Sequence, residues 1–127
     1  MTEPRKRLLL VEDEAMLRST MRGHFEDFGY EVLEAASGEE GVELLQSERV
    51  DYAIVDMRLP RMDGNDFILK AHEMQPGLRV LVHTGSVGYS PPPAVMAVGV
   101  GEDHVFAKPL HDLDVLVQAL KAFEAEE

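Results

Sequence analysis

The sequence predicts an α/β fold, with five parallel strands in one sheet and helices on both of its faces. Three observations point there. Short apolar runs such as Leu8–Val11 and Tyr52–Val55 lack polar alternation, as strands buried on both faces do. Longer stretches between them place apolar residues at helical spacing. Four runs also end in residues able to handle phosphate or a cation: Glu12-Asp13, Asp56, Thr84 and Lys108. In a parallel sheet those ends share one edge, where open α/β folds place ligands.

The elements follow in order. After Leu8–Val11, residues Ala15 to Phe28 put Met16, Leu17, Met21, Phe25 and Phe28 at helical spacing, with Gly29 as the stop. Glu31–Ala35 is a short second strand. Ser37-Gly38-Glu39-Glu40 reads as a capping box opening a helix through Val42, Leu44 and Leu45. Tyr52–Val55 is the third strand, and the segment from Leu59 to Gly64 is its turn-rich exit. Phe67, Ile68, Ala71 and Met74 mark a third amphipathic helix, closed by Gln75-Pro76-Gly77. Arg79–His83 is the fourth strand, a fifth lies around Val105, and a last helix runs from about Asp112 to Phe123. Between them stand three consecutive prolines, Pro91 to Pro93. Only the last fits a helical first turn, so the fourth helix should be short, about two turns.

A chain of 127 residues has the size of one domain, and residues 1–127 show no linker, repeat or low-complexity stretch. The expectation is a single domain without a separate output domain. A formal net charge of −12 repels nucleic-acid backbones and anionic lipid, arguing against direct DNA binding. The basic cluster Arg5-Lys6-Arg7 reads as a solvated flank of the first strand. The chain has no cysteine, so thiol chemistry is excluded. Leu8–Val11 is shorter than the about 7–15 apolar residues of a secretory core. No run approaches the roughly 20 of a spanning helix. The expected location is cytoplasmic.

Glu12 and Asp13 would repel one another and Asp56 unless a cation lay between them. Hard oxygen ligands with open positions suit Mg²⁺, or Mn²⁺. Taken alone, Glu12-Asp13-Glu14 would also serve merely as a helix N-terminal cap. Asp56, held at the end of a buried strand, is placed to attack phosphorus as a carboxylate nucleophile. Thr84 offers a hydroxyl and Lys108 a point charge for phosphoryl oxygens, and Pro109 permits a cis peptide after Lys108. His83 adjoins Thr84, but strand alternation turns it away, so it reads as structural. His24, His72, His104 and His111 have no zinc-ligand spacing. The methionines read as mostly core.

Together, Leu-Leu-Leu-Val-Glu12-Asp13-Glu14, Ile-Val-Asp56-Met-Arg-Leu-Pro60-Arg-Met-Asp63-Gly64, His-Thr84-Gly85 and Ala-Lys108-Pro109 resemble the receiver domain of two-component response regulators. The resemblance spans nearly the whole chain. It implies the stand-alone CheY-like form of the flavodoxin-like (βα)5 fold, with strand order 2-1-3-4-5. It also implies Mg²⁺-dependent phosphorylation of Asp56 by a histidine kinase or histidine phosphotransfer protein, which switches binding to a downstream protein. Glu12, Asp13, Asp56 and the backbone carbonyl of Arg58 would be the metal ligands. Thr84 would be the switch hydroxyl and Lys108 the phosphoryl-pairing lysine. Such a protein accepts and loses phosphate without being a conventional enzyme.

One position departs from the family pattern, and two more bear on the lifetime of a phosphoryl group. Receivers commonly carry an aromatic three residues before the lysine, where this chain has Val105; Phe106 should point to the opposite face, and Tyr89 is a candidate replacement. Arg58 and Ser86 stand where the family borders the path of attacking water, so Arg58 is a candidate shield of the phosphoryl group. Alternative readings are an adaptor that signals without phosphorylation, a Mg²⁺-dependent aspartyl phosphatase and a flavodoxin-type binding module. The phosphatase would favour an acid where Arg58 sits, and a flavin phosphate would be repelled by Glu12-Asp13-Glu14.

Overall fold

A computed structural model describes residues 5–127 and places five parallel strands in the order β2-β1-β3-β4-β5. The strands are β1 (Arg7–Val11), β2 (Glu31–Ala35), β3 (Tyr52–Val55), β4 (Arg79–Thr84) and β5 (Val105–Ala107). The helices are α1 (Ala15–Asp27), α2 (Gly38–Ser47), α3 (Gly64–Met74), α4 (Pro93–Ala97) and α5 (Asp114–Ala125). A 3₁₀ turn over Glu102–His104 leads into β5.

Strand alternation divides the core into two layers. Leu9, Val11, Ala53, Val55, Val80 and Val82 face one way, onto residues of α2, α3 and α4 such as Leu45, Phe67, Ile68 and Val95. Leu8, Leu10, Tyr52, Ile54 and Leu81 face the other, onto Met21 and Phe25 of α1 and Leu116, Leu120 and Phe123 of α5. The strands are therefore apolar along both faces, which is why they read as continuous runs. Val105 and Phe106 separate as expected, the first against the α2–α4 layer and the second against the α1–α5 layer.

Several boundaries differ from the sequence reading. Helix α1 ends at Asp27, and Gly29 follows at φ +93°, a conformation that suits glycine. Strand β4 extends to Thr84, which pairs with Ala107. Helix α4 has five residues, little more than one turn, with Pro93 opening it. Helix α5 begins at Asp114 because the Asp112 carboxylate accepts the Asp114 N–H at 2.9 Å, making Asp112 part of the turn before the helix. The capping box is also modified: Ser37 Oγ accepts the Glu40 N–H at 3.1 Å, but the Glu40 carboxylate reaches back to the Ala36 N–H. Met21 and Met57 are buried, whereas Met16 and Met96 are exposed, so the methionines are not uniformly core. Met1 lies outside the described residues.

Helix α3 is pinned directly behind the end of β3. The Asp63 side chain caps it by accepting the Asp66 N–H at 2.9 Å, and the Gly64 N–H donates to the Met57 carbonyl at 3.1 Å. A Cβ on Gly64 would lie 2.6 Å from the Asp56 carbonyl oxygen and 2.8 Å from the Met57 Cα. Only glycine allows this approach.

Candidate functional site

The sheet ladder continues one residue past three strands, which fixes the residues at their ends. The Glu12 N–H donates to the Ala35 carbonyl at 3.0 Å, Asp56 N–H to Val11 at 3.1 Å and Lys108 N–H to Thr84 at 2.9 Å. Glu12, Asp56, Thr84 and Lys108 thus reach one edge of the sheet on rigid backbone. The Arg18 guanidinium of α1 steadies the first of them by donating to the Glu12 carbonyl at 2.7 Å.

Three carboxylates converge there: oxygens of Glu12, Asp13 and Asp56 all lie within 4.8 Å of one another. Among the described residues this is the one His, Cys, Asp and Glu group arranged to hold a metal ion. Glu12 is 3% exposed and Asp56 6%, whereas Asp13 is open to solvent. Lys108 Nζ donates to Glu12 Oε1 at 2.7 Å and to Asp56 Oδ2 at 2.9 Å. The other oxygens are also engaged: Glu12 Oε2 accepts the Glu14 N–H at 3.0 Å and Asp56 Oδ1 the Arg58 N–H at 3.1 Å.

The electrostatics follow from burial. Desolvation raises the Glu12 pKa, although Lys108 and the Glu14 amide oppose it. Burial disfavours the Lys108 cation, but its hydrogen bonds to Glu12 and Asp56 outweigh that cost and raise its pKa. Three carboxylates against one ammonium leave a local deficit of about two positive charges when all are ionised. Hard oxygens with that deficit fit a small dication, so the residues present suit the metal expected from the sequence.

Thr84 is buried, and its hydroxyl joins the carboxylates only indirectly. Thr84 Oγ1 accepts the Ser86 N–H at 3.1 Å, and Ser86 Oγ accepts from Arg58 Nε at 3.1 Å. The Arg58 amide already holds Asp56. Asp56, Arg58, Ser86 and Thr84 therefore form one hydrogen-bonded arc. His83 turns away from it, 3% exposed with neither ring nitrogen partnered. It lines a cavity of about 370 Å³ with Glu14, Leu17, Lys108, Pro109 and Leu113. The Lys108–Pro109 peptide is cis.

Tyr89 is half-buried in the loop after β4. Its ring packs against the α2–α4 layer, as Val98 and Val105 do, and its hydroxyl donates to Asn65 Oδ1 at 2.6 Å. Asn65 carries no sequence signal, because the pairing exists only once α3 and the loop after β4 meet. Gly64, behind Asp56, is legible as part of the turn and of the Asp63-Gly64 motif, but its close approach to Asp56 is not.

Residues 8–121 match the response regulator receiver domain family. The chain belongs to that family. As a receiver domain it is homologous to the phosphorylatable response regulators of two-component systems. It is 37% identical over 115 residues to the transcriptional regulatory protein GlrR of Escherichia coli, covering 89% of this chain and 25% of that protein. The receiver thus spans about a quarter of the length of that relative. A CheY-like receiver domain protein from Methanospirillum hungatei superposes with a TM-score of 0.84 at 28% identity, over 96% of both chains. A response regulator from Burkholderia pseudomallei, solved with a phosphorylated aspartic acid and a calcium ion, gives 0.76 at 27% identity, over 94% of this chain and 74% of its own. Among the described residues no helix is long and apolar enough to cross a membrane.

Proposed function

We propose that this receiver, in the cytoplasm, accepts a phosphoryl group on Asp56 in a Mg²⁺-dependent reaction from a histidine kinase or histidine phosphotransfer protein, and that the phosphorylated form binds a downstream protein differently. One observation carries the reading: the buried Asp56 carboxylate sits within 4.8 Å of two further carboxylates, with Lys108 Nζ on its Oδ2. A nucleophile, a cation site and a cation are thereby in one place. The Burkholderia pseudomallei relative, with its phosphorylated aspartic acid, supports the assignment.

In this scheme an Asp56 oxygen attacks phosphorus, a P–O bond forms, and the P–N bond to the donor imidazole breaks. Glu12, Asp13, Asp56 and the Arg58 carbonyl would hold Mg²⁺, or Mn²⁺, which neutralises the charge of the incoming phosphoryl group. Lys108 exchanges its carboxylate partners for phosphoryl oxygens. Thr84 turns its hydroxyl toward the same group and leaves the Ser86 amide. Arg58, exposed and hydrogen-bonded to Ser86, borders the route of water to the acyl phosphate. The receiver is a phosphate-accepting switch and not a conventional enzyme. An aspartyl phosphatase would place a general acid where Arg58 stands.

Incubation with Mg²⁺ and acetyl phosphate, followed by intact-mass analysis, tests the reading. Wild type should gain one base-labile phosphoryl group, and Asp56→Asn should gain none. A wild type without adduct, with folding checked by circular dichroism, would refute it. Rapid phosphate release without accumulation would favour the phosphatase.

A further inference from the structure

Thr84 and Asp56 are joined by a second set of contacts, on the side away from the carboxylates. Tyr89 lies in the loop after β4, and its N–H donates to the Ser86 carbonyl at 3.4 Å, a long bond. Ser86 in turn donates its N–H to the Thr84 hydroxyl. At its other end the Tyr89 phenol donates to Asn65 Oδ1 at 2.6 Å. Asn65 directly follows Gly64, whose amide is bonded to the Met57 carbonyl and which sits so close behind Asp56 that a Cβ there would meet the Asp56 carbonyl at 2.6 Å. The phenol therefore closes a ring of contacts, Asp56, Gly64, Asn65, Tyr89, Ser86 and Arg58, to which Thr84 is tied through the Ser86 amide.

Two details make this more than a tyrosine that has found a partner. Val105, at the position next to Thr84's strand where an aromatic would pack, supplies only a small side chain. Tyr89 packs onto the same core layer as Val105, and so covers that side of β4 with the aromatic bulk that Val105 lacks. Tyr89 is also the exception among the three tyrosines. Tyr30 and Tyr52 are nearly inaccessible and donate to Glu124 and Glu127 far from the site, whereas Tyr89 is half-buried on a short loop. The phenol's bond to Asn65, the ring's packing and the long amide bond to Ser86 hold it there.

We propose that the Tyr89–Asn65 hydrogen bond is the latch through which this receiver reports the state of Asp56. The inference rests on the phosphoacceptor reading above. When the Thr84 hydroxyl leaves the Ser86 amide, the loop loses its anchor beneath Tyr89. The phenol then releases Asn65, and the segment carrying Tyr89 and the exposed Val87 rearranges. A phosphoryl group shifts the loop only because the two loop positions offer Thr84 different contacts, which is the condition for any such coupling.

The three tyrosines make the test direct. Protein labelled with 3-fluorotyrosine should give three ¹⁹F resonances, assigned with Tyr30→Phe, Tyr52→Phe and Tyr89→Phe. On phosphorylation, confirmed in the same sample by intact mass, the Tyr89 resonance should shift while those of Tyr30 and Tyr52 stay. Asn65→Ala, without phosphate, should move the Tyr89 resonance toward its phosphorylated position and leave the adduct yield unchanged. An adduct seen by mass with Tyr89 unmoved would overturn the latch and leave the phosphoacceptor reading intact. An Asn65→Ala spectrum equal to that of unmodified wild type would likewise overturn it. No adduct at all would refute the underlying reading, and the latch with it.

Discussion

His83 offers a sharp test of the electrostatics beside the site. Its ring is 3% exposed, and neither nitrogen has a hydrogen-bond partner. Burial, with the Lys108 cation, pushes its pKa down from 6.5 to about 4, although Asp56 pulls the other way. The folded state therefore binds fewer protons than the unfolded state between those values. Stability from the neutral ring is fully present above pH 6.5, falls with pH below it, and levels off below about pH 4. Between pH 7 and pH 5 the linkage amounts to a loss of about 2 kcal/mol. His83→Leu, similar in volume, removes the titration and both orphaned nitrogens. At pH 7 the variant should be more stable than wild type by about 1–3 kcal/mol, the cost of an unmet buried polar group. At pH 5 its advantage should grow by about 2 kcal/mol more. Urea melts at the two pH values, without Mg²⁺, measure both numbers. Taking the difference between variant and wild type cancels the carboxylates common to both. A variant advantage that does not grow between pH 7 and pH 5 would refute the burial argument.

Three further perturbations address the site. Lys108→Met leaves Glu12 and Asp56 without their cation and should cost about 1–3 kcal/mol, less than a fully buried pair because Lys108 is partly open; urea melts should show Mg²⁺ restoring more stability to the variant than to wild type, and equal Mg²⁺ gains would count against a shared site. Arg58→Ala removes the bond to Ser86, and if that contact contributes about 1 kcal/mol to shielding, the phosphoryl adduct should decay roughly fivefold faster by timed intact mass. Gly64→Ala forces a methyl into the Asp56 carbonyl and should cost about 1–3 kcal/mol in denaturant melts while slowing phosphorylation, because the clash is with backbone that has nowhere to go.

The parts legible from sequence share a physical cause. Strands buried on both faces leave continuous apolar runs, so β1, β3 and β4 could be read residue by residue, and their ends carried the site residues with them. Glu12, Asp13, Asp56 and Lys108 converge as expected because the backbone ladder sets their positions. The misreadings fall where one side chain decides. Asp112 resembles a first helical residue but folds into the preceding turn, bonding the Asp114 amide. Glu40 completes its cap one residue early, on Ala36. The Arg58–Ser86 bond spans 28 positions and Tyr89–Asn65 spans 24. No local periodicity marks such pairs, because each depends on segments far apart in the chain meeting in the fold.

Those two long-range bonds divide the work around Thr84. Arg58–Ser86 lies on an exposed side chain whose amide is bonded to Asp56. Tyr89–Asn65 joins the loop to the first turn of α3, with the ring against the core layer. Both nevertheless depend on the segment from Thr84 to Tyr89, which the Thr84 hydroxyl holds through the Ser86 amide. Under the proposed switch, a displacement of Thr84 would be felt in two directions at once: toward the lifetime of the phosphoryl group through Ser86 Oγ, and toward α3 through Tyr89. The small side chain at Val105 is consistent with this division. Phe106, the ring on β5, faces the α1–α5 layer, so on the Val105 side the aromatic contact is made from the loop itself, and its anchor is the helix that begins against the Asp56 backbone.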